Sequence, residues 1–224
     1  MKIIFTEGPL DVLLIRSILV KVFCLEDITR SDYASPIRRH FRNLLINFQV
    51  DGVIRIVRTP NDESIVIASV EGKDNFLKIA SAIKPLRRVA EEIHETLNGV
   101  IFVGDRDAWS ILNRLNNPKG EVPVSTLAYE GYMEDLLFKI FKNVEKELDS
   151  LELEVYKKVL GPVSKFKDID GDTWKKRKLS LLHLVFGPRC FENLFENLCS
   201  KLTDKWRGVE EISHLADLLE VSKE

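Results

Sequence analysis

The chain has 224 residues, 45% of them hydrophobic and 30% charged, with a formal net charge of −2. A chain of this length buries roughly 70–75% of its unfolded surface, so it can hold a core without disulfides or a structural metal. The composition excludes disordered and fibrous classes, and the slight negative charge means that any contact with nucleic acid must come from local patches.

Three cysteines, Cys24, Cys190 and Cys199, make an odd number with no C-x-x-C spacing. They read as reduced core thiols of an intracellular protein. The opening MKIIFTEG is too briefly apolar for a signal peptide, and no apolar run approaches the ~18 residues of a membrane span. A soluble, cytoplasmic protein is the expectation. A single glutamine, Gln49, among so many charges points towards a thermophile.

In chain order, Lys2–Phe5 is a short apolar strand. Pro9 suits the first turn of a helix, and LDVLLIRSILVKVF after it is apolar on most faces, as a helix packed on a sheet would be. Residues 25–37 form a polar connection punctuated by Pro36, and Arg38–Phe48 is helical. Val53–Val57 and Ser64–Val70 are β-branched runs around Thr59-Pro60-Asn61-Asp62, which predicts a hairpin. Residues 75–83 and 86–97 predict two helices split by Pro85. Val100–Val103 is the next strand, 108–115 a short helix, 122–127 a strand, and 132–148 a helix with apolar residues at helical spacing. This alternation predicts an α/β layered domain over 1–150 with helices on both faces of the sheet. Residues 151–224 contain no strand pattern and predict a helical C-terminal appendage, with helices at 175–185, 190–202 and 204–219.

Three acidic segments fall at strand-to-helix junctions: Glu7-Gly8 with Asp11 one helical turn on, Asp105-Arg106-Asp107, and Glu134-Asp135 within GYMED. Strand ends of an open α/β sheet are where ligands bind. Carboxylates crowded together repel one another unless a cation joins them. Taken singly, D-x-D after a strand reads as a solvated turn or helix cap, and Asp11 as favourable first-turn charge.

The order of these motifs resembles the Toprim domain, with its glutamate-glycine after the first strand and D-x-D after a later one. The fuller layout E-G-x-x-D, a lysine-bearing segment after a hairpin (here Glu71-Gly72-Lys73-Asp74-Asn75), D-x-D and G-x-x-E-D is similar to the Toprim part of OLD-family nucleases and their small stand-alone archaeal relatives. Glu71 stands where that family usually has glycine. The resemblance covers roughly residues 1–145. It implies a Toprim-like (Rossmann-like) sheet, bound Mg²⁺ or Mn²⁺, and cutting or joining of phosphodiesters in DNA or RNA. It implies Glu7, Asp11, Asp105, Asp107 and Glu134 as metal ligands, with Glu7, Asp105 and Asp107 catalytic. Such hard cations take oxygen ligands, and a two-metal site needs carboxylates from several strand ends.

A rival register takes Glu71 as the first glutamate, but the stretch from there to Asp105 reads as two helices and leaves no strand between. Lys73 and Arg106 are candidates for phosphate contact, as is the basic run Lys175-Lys176-Arg177-Lys178. Arg38-Arg39-His40-x-Arg42 and Arg87-Arg88 are further positive clusters. No G-x-x-x-x-G-K-[ST] is present, so the ATPase half of full OLD proteins is missing, and no zinc spacing occurs. The lysine that assists catalysis in OLD nucleases has no match here. No tyrosine has the context of a strand-passing nucleophile. The expected function is a metal-dependent nuclease. The alternatives are a non-catalytic nucleic-acid or nucleotide-binding module working with protein partners, and a nucleotidyl transferase.

Overall fold

The computed structural model describes residues 1–160 and 188–221. Six strands form one mixed sheet in the order β2-β3-β4-β1-β5-β6. Strand β1 (Lys2–Thr6) lies inside it, parallel to β4 (Ser64–Ser69) on one side and to β5 (Gly99–Gly104) on the other. Every residue of these three strands is buried, which is why they read as continuous apolar runs. β6 (Val124–Ala128) continues the parallel set, and β3 (Ile54–Arg58) turns back antiparallel to β4 through the expected hairpin. The two-residue strand β2 (Glu26–Asp27) pairs with the edge of β3 inside the segment read as a plain connection.

The sheet is covered on both faces. Ile4, Ile101, Val103 and Leu127 point to the face carrying α1 (Pro9–Lys21) and α6 (Met133–Val144). Ile3, Phe5, Val100 and Phe102 point to the other face, which carries α2 (Ala34–Asn47), α3 (Asn75–Ala80), α4 (Ile83–Glu92) and α5 (Trp109–Leu115). Phe102 stacks on Phe5 at 5.5 Å between ring centres and meets Phe76 edge-on at 5.4 Å. Because α1 leaves β1 on one face and α5 leaves β5 on the other, a crevice opens between the carboxyl ends of these neighbouring strands. This is the topological switch point of the sheet.

Helix α7 (Ser150–Leu160) follows a 3₁₀ turn at Glu145–Glu147, and α8 (Pro188–Leu202) packs along α1. Phe195, Leu198 and Cys199 of α8 share one apolar cluster with Leu14, Ile18 and Leu19 of α1. The all-round apolarity of α1 follows, because it is sandwiched between the sheet and α8. Its Arg16 donates to Asp27 at 2.8 Å and pairs with Glu196 of α8. A 3₁₀ segment at Thr203–Gly208 and helix α9 (Glu210–Leu219) complete this layer, replacing the single helix expected over 204–219. The expected helix over 175–185 lies outside the described residues.

The two prolines read as breaks are not breaks. Pro36 and Pro85 each occupy the third position of a helix, α2 and α4. First-turn N–H groups have no intrahelical partner, so proline costs nothing there. Past their C-terminal ends stand the left-handed residues Gln49 and His94, at φ 60° each. Among the described residues no helix is long and apolar enough to cross a membrane.

Candidate metal centre at the carboxyl edge of the sheet

All three acidic segments leave the carboxyl ends of parallel strands, and backbone contacts tie the loops together. The Gly72 N–H donates to the Glu7 carbonyl at 2.9 Å, Tyr129 N–H to the Gly104 carbonyl at 3.0 Å, and Arg106 N–H to the Gly131 carbonyl at 2.8 Å. The acidic side chains join in. Glu7 Oε1 accepts the Asp105 N–H at 2.8 Å, and Asp105 Oδ1 accepts the Met133 N–H at the start of α6 at 3.0 Å. Gly104 makes the first of these possible, since a Cβ there would stand 2.7 Å from Glu7 Oε1.

One oxygen from each of Glu7, Asp105 and Asp107 lies within 4.8 Å of the other two. Glu7 and Asp105 are half-buried and Asp107 is exposed. Opposite ligands on a Mg²⁺-sized ion stand about 4.2 Å apart. Three hard oxygen donors at this spacing therefore suit an oxygen-seeking divalent cation after small side-chain movements.

Asp11 and Glu134 border this group. Asp11 Oδ2 accepts the Gly8 N–H at 2.9 Å, as Asp135 Oδ2 accepts the Tyr132 N–H at 3.0 Å. The two aspartates thus close the first turns of α1 and α6 in the same way. Desolvation pushes the Asp11 carboxyl well above the usual carboxylate range. The charges of Asp105 and Glu7 add to this, the Gly8 N–H opposes it, and Glu134 adds a weaker push. Glu134 stands in the first turn of α6.

Lys73 donates to Asp107 Oδ2 at 2.7 Å and to the Asp107 carbonyl at 3.2 Å. That hydrogen bond raises the lysine's own pKa. Glu71 is exposed and left-handed at φ 56°, and its carboxylate accepts the Asp51 N–H at 3.4 Å. It therefore lies in the loop that supports Glu7 through Gly72. Arg106 is exposed beside the triad. Lys175, Lys176, Arg177 and Lys178 lie outside the described residues.

Sequence reasoning missed four neighbours. Tyr129, one residue past β6, is buried, and its hydroxyl has no hydrogen-bond partner among the described residues. Burial holds its phenol well above the usual range, helped by Asp11, Asp105, Glu7 and Glu211. Glu211 in the first turn of α9 is also buried. Lys139 of α6 bridges Glu130 and Glu211 at 2.6 Å each. Trp109 opens α5 with 58% of its surface exposed. Two cavities flank Arg106. One of about 640 Å³ also touches Asp107, Tyr132 and Lys139, and one of about 680 Å³ touches Trp109, Tyr129, Glu211 and His214. Only the exposed tryptophan carried a local sequence signal; the rest depend on α9 folding back onto β6.

No protein-family model matches the chain, and no curated protein is similar to it. Among solved structures it is similar to the crystal structure of hypothetical protein PH0156 from Pyrococcus horikoshii OT3. The TM-score is 0.54 and the identity 16%, and the match covers 98% of this chain and 97% of that one. At that identity the likeness is one of fold, a Rossmann-like layered sheet with a helical C-terminal part.

Proposed function

We propose that the chain is a divalent-metal-dependent phosphodiesterase acting on nucleic acid, a Toprim-type nuclease related to the OLD family. The observation that carries this reading is the meeting of Glu7, Asp105 and Asp107 at the crevice between β1 and β5. Glu7, Asp105 and Asp107 would hold Mg²⁺ or Mn²⁺, with Asp11 and Glu134 beside them as further carboxylates. When bound, such a cation stabilises charge on the oxygens of an in-line displacement.

The chain's own residues do the rest. The Asp105 N–H fixes one oxygen of Glu7, and the N-terminus of α6 fixes one oxygen of Asp105, so both carboxylates are oriented in advance. Lys73, held against Asp107, is placed to exchange that carboxylate for a substrate phosphate. Arg106 is exposed at the rim and supplies a second cation for the backbone.

Circular single-stranded DNA, supercoiled plasmid and structured RNA, each incubated with Mg²⁺, Mn²⁺ or EDTA, test this. Cutting that needs metal and disappears in Asp105→Ala/Asp107→Ala is the expected result. Undiminished cutting by that variant, with contaminants excluded, would sink the proposal.

A second reading has its own support. The Lys73 ammonium already neutralises Asp107, as a built-in counter-ion would in a binding module that works within a complex. Salt-dependent binding of nucleic acid, with no cleavage under any metal, is the outcome it expects.

A further inference from the structure

The two layers of helices carry their charges differently. Arg39 and Arg42 of α2, Lys78 of α3, Lys84 and Arg88 of α4, and Arg114 of α5 are all exposed. None of them has an ion pair among the described residues. The only carboxylates in these helices are Glu91 and Glu92, at the end of α4. Both are engaged: Arg87 holds Glu91 at 3.2 Å, and Glu92 stands 3.2 Å from His40 of α2. Across the sheet the pattern reverses. Arg16 and Lys21 of α1, Lys139 and Lys142 of α6, and Lys201 of α8 each hold a carboxylate. The small net charge of −2 therefore hides a basic layer.

This arrangement works against the helices that carry it. Lys84 and Arg88 repeat one charge at i,i+4, and Arg38 and Arg42 do the same. Opposite charges at that spacing support a helix, and like charges weaken it. A layer of like charge with no carboxylates left to pair fits a partner of the opposite sign. The layer also reaches the metal centre, because α3 starts two residues after Lys73 and α5 two residues after Asp107. Proteins that hold single strands stack the bases on aromatic rings. On these helices Trp109, at the edge by Asp107, is the one exposed aromatic side chain. The rest of the layer offers guanidinium and ammonium groups on helices packed side by side, α2 on α4 and α3 on α5. Such groups match phosphates, and a nucleic-acid duplex presents one negative charge per about 1.7 Å.

We propose that the layer formed by α2, α3, α4 and α5 is the docking surface for a nucleic-acid duplex, gripped by its phosphates without reading of sequence, with the metal centre at the edge of the footprint. The proposal deepens the nucleic-acid reading and rests on it. It gives the cations of α2 and α4, which no step at the metal centre uses, the task of holding the substrate.

Anisotropy of a short fluorescent DNA duplex, titrated in EDTA so that nothing is cut, tests the surface apart from the metal chemistry. Affinity should fall steeply as salt is added. Arg39→Gln/Arg42→Gln and Lys84→Gln/Arg88→Gln should each weaken binding by about tenfold or more at about 0.1 M salt. Each should also lower the slope of log affinity against log salt by about 2, since one phosphate contact contributes about 0.9. Lys142→Gln/Lys157→Gln removes the same charge from α6 and α7 and should change neither quantity. The proposal is overturned if no duplex binds, if the α2 and α4 variants bind as the wild type does, or if the α6 and α7 variant loses as much as they do. It is also overturned if a single strand of the same length, or polyglutamate, binds as tightly as the duplex. Asp105→Ala/Asp107→Ala should bind the duplex at least as tightly as the wild type, so loss of cleavage and loss of docking are separate results.

Discussion

The two ends of the central strands differ in how their charges are arranged. At the amino end Lys2, Glu63 and Glu95 each meet a partner. Lys2 at the start of β1 donates to the Leu219 carbonyl and to Glu220 at 2.9 Å each. Glu95 accepts from Ser64 and Tyr33 at 2.7 Å, and Glu63 accepts from Asn98 at 2.6 Å. At the carboxyl end Glu7, Asp11, Asp105 and Glu134 crowd together, and Asp11 is driven towards its neutral form. One end is arranged for stability. The other brings like charges close together, at a local cost in stability.

This contrast can be broken or sharpened by measurement. The largest effect should come from Asp105→Ala/Asp107→Ala, which removes two of the three proposed ligands. Divalent-metal affinity by calorimetry should fall by more than about 100-fold, beyond the 10–100-fold typical of an outer-shell partner. An unchanged affinity would move the metal elsewhere. Next, metal at about 100 times its Kd should stabilise the wild-type fold by about 2.7 kcal/mol. At about 2–4 °C per kcal/mol for a chain of this size, Tm should rise by about 5–10 °C in a melting scan, and the rise should vanish in the double variant.

At the opposite end, Lys2→Met should cost about 1–3 kcal/mol in denaturant unfolding, because the Leu219 carbonyl loses its donor, yet metal affinity should stay as it was. A change there would mean that the two ends are coupled. Gly104→Ala should push the Glu7 carboxylate aside and weaken metal binding by about tenfold. The added Cβ would also stand 3.2 Å from Ala108 Cβ and from the buried Phe76 ring, so stability should fall as well, by about 1–3 kcal/mol.

The smallest effect concerns Asp11. Its folded pKa lies above the unfolded value, so ionisation penalises the folded state. That penalty is absent below the unfolded pKa near 3.9 and grows as pH rises towards and through the folded pKa. Asp11→Asn should therefore raise the Tm of the metal-free protein at neutral pH, with the advantage fading as pH falls towards 4. A constant advantage at all pH values would assign the effect to packing instead.

Much of the site was legible because its carriers are local. Glu7-Gly8 and Asp105-Arg106-Asp107 each follow a continuous apolar strand, and such strands announce themselves. The layering also followed from the alternation of strands and helices along the chain and from the apolarity of α1. β2 escaped because two exposed acidic residues, Glu26 and Asp27, have no strand propensity and pair only because β3 offers an edge. The starts of α2 and α4 escaped because proline was read as a boundary when it was a first-turn residue. Asp11 looks the same in sequence whether it caps a helix or binds a metal, and here it caps while standing beside the triad. Tyr129 and Glu211 could not be paired in advance, because their meeting depends on the return of α9 to the sheet.

The packing of α8 against α1 has a consequence for biosynthesis. Helix α1 emerges early, yet the face it turns from the sheet is covered by Phe195, Leu198 and Cys199, and its Arg16 waits for Glu196. At 5–20 residues per second the ribosome needs roughly 10–30 s to make the intervening chain. For that interval the nascent protein carries an uncovered apolar helix, the kind of surface that promotes aggregation until α8 covers it.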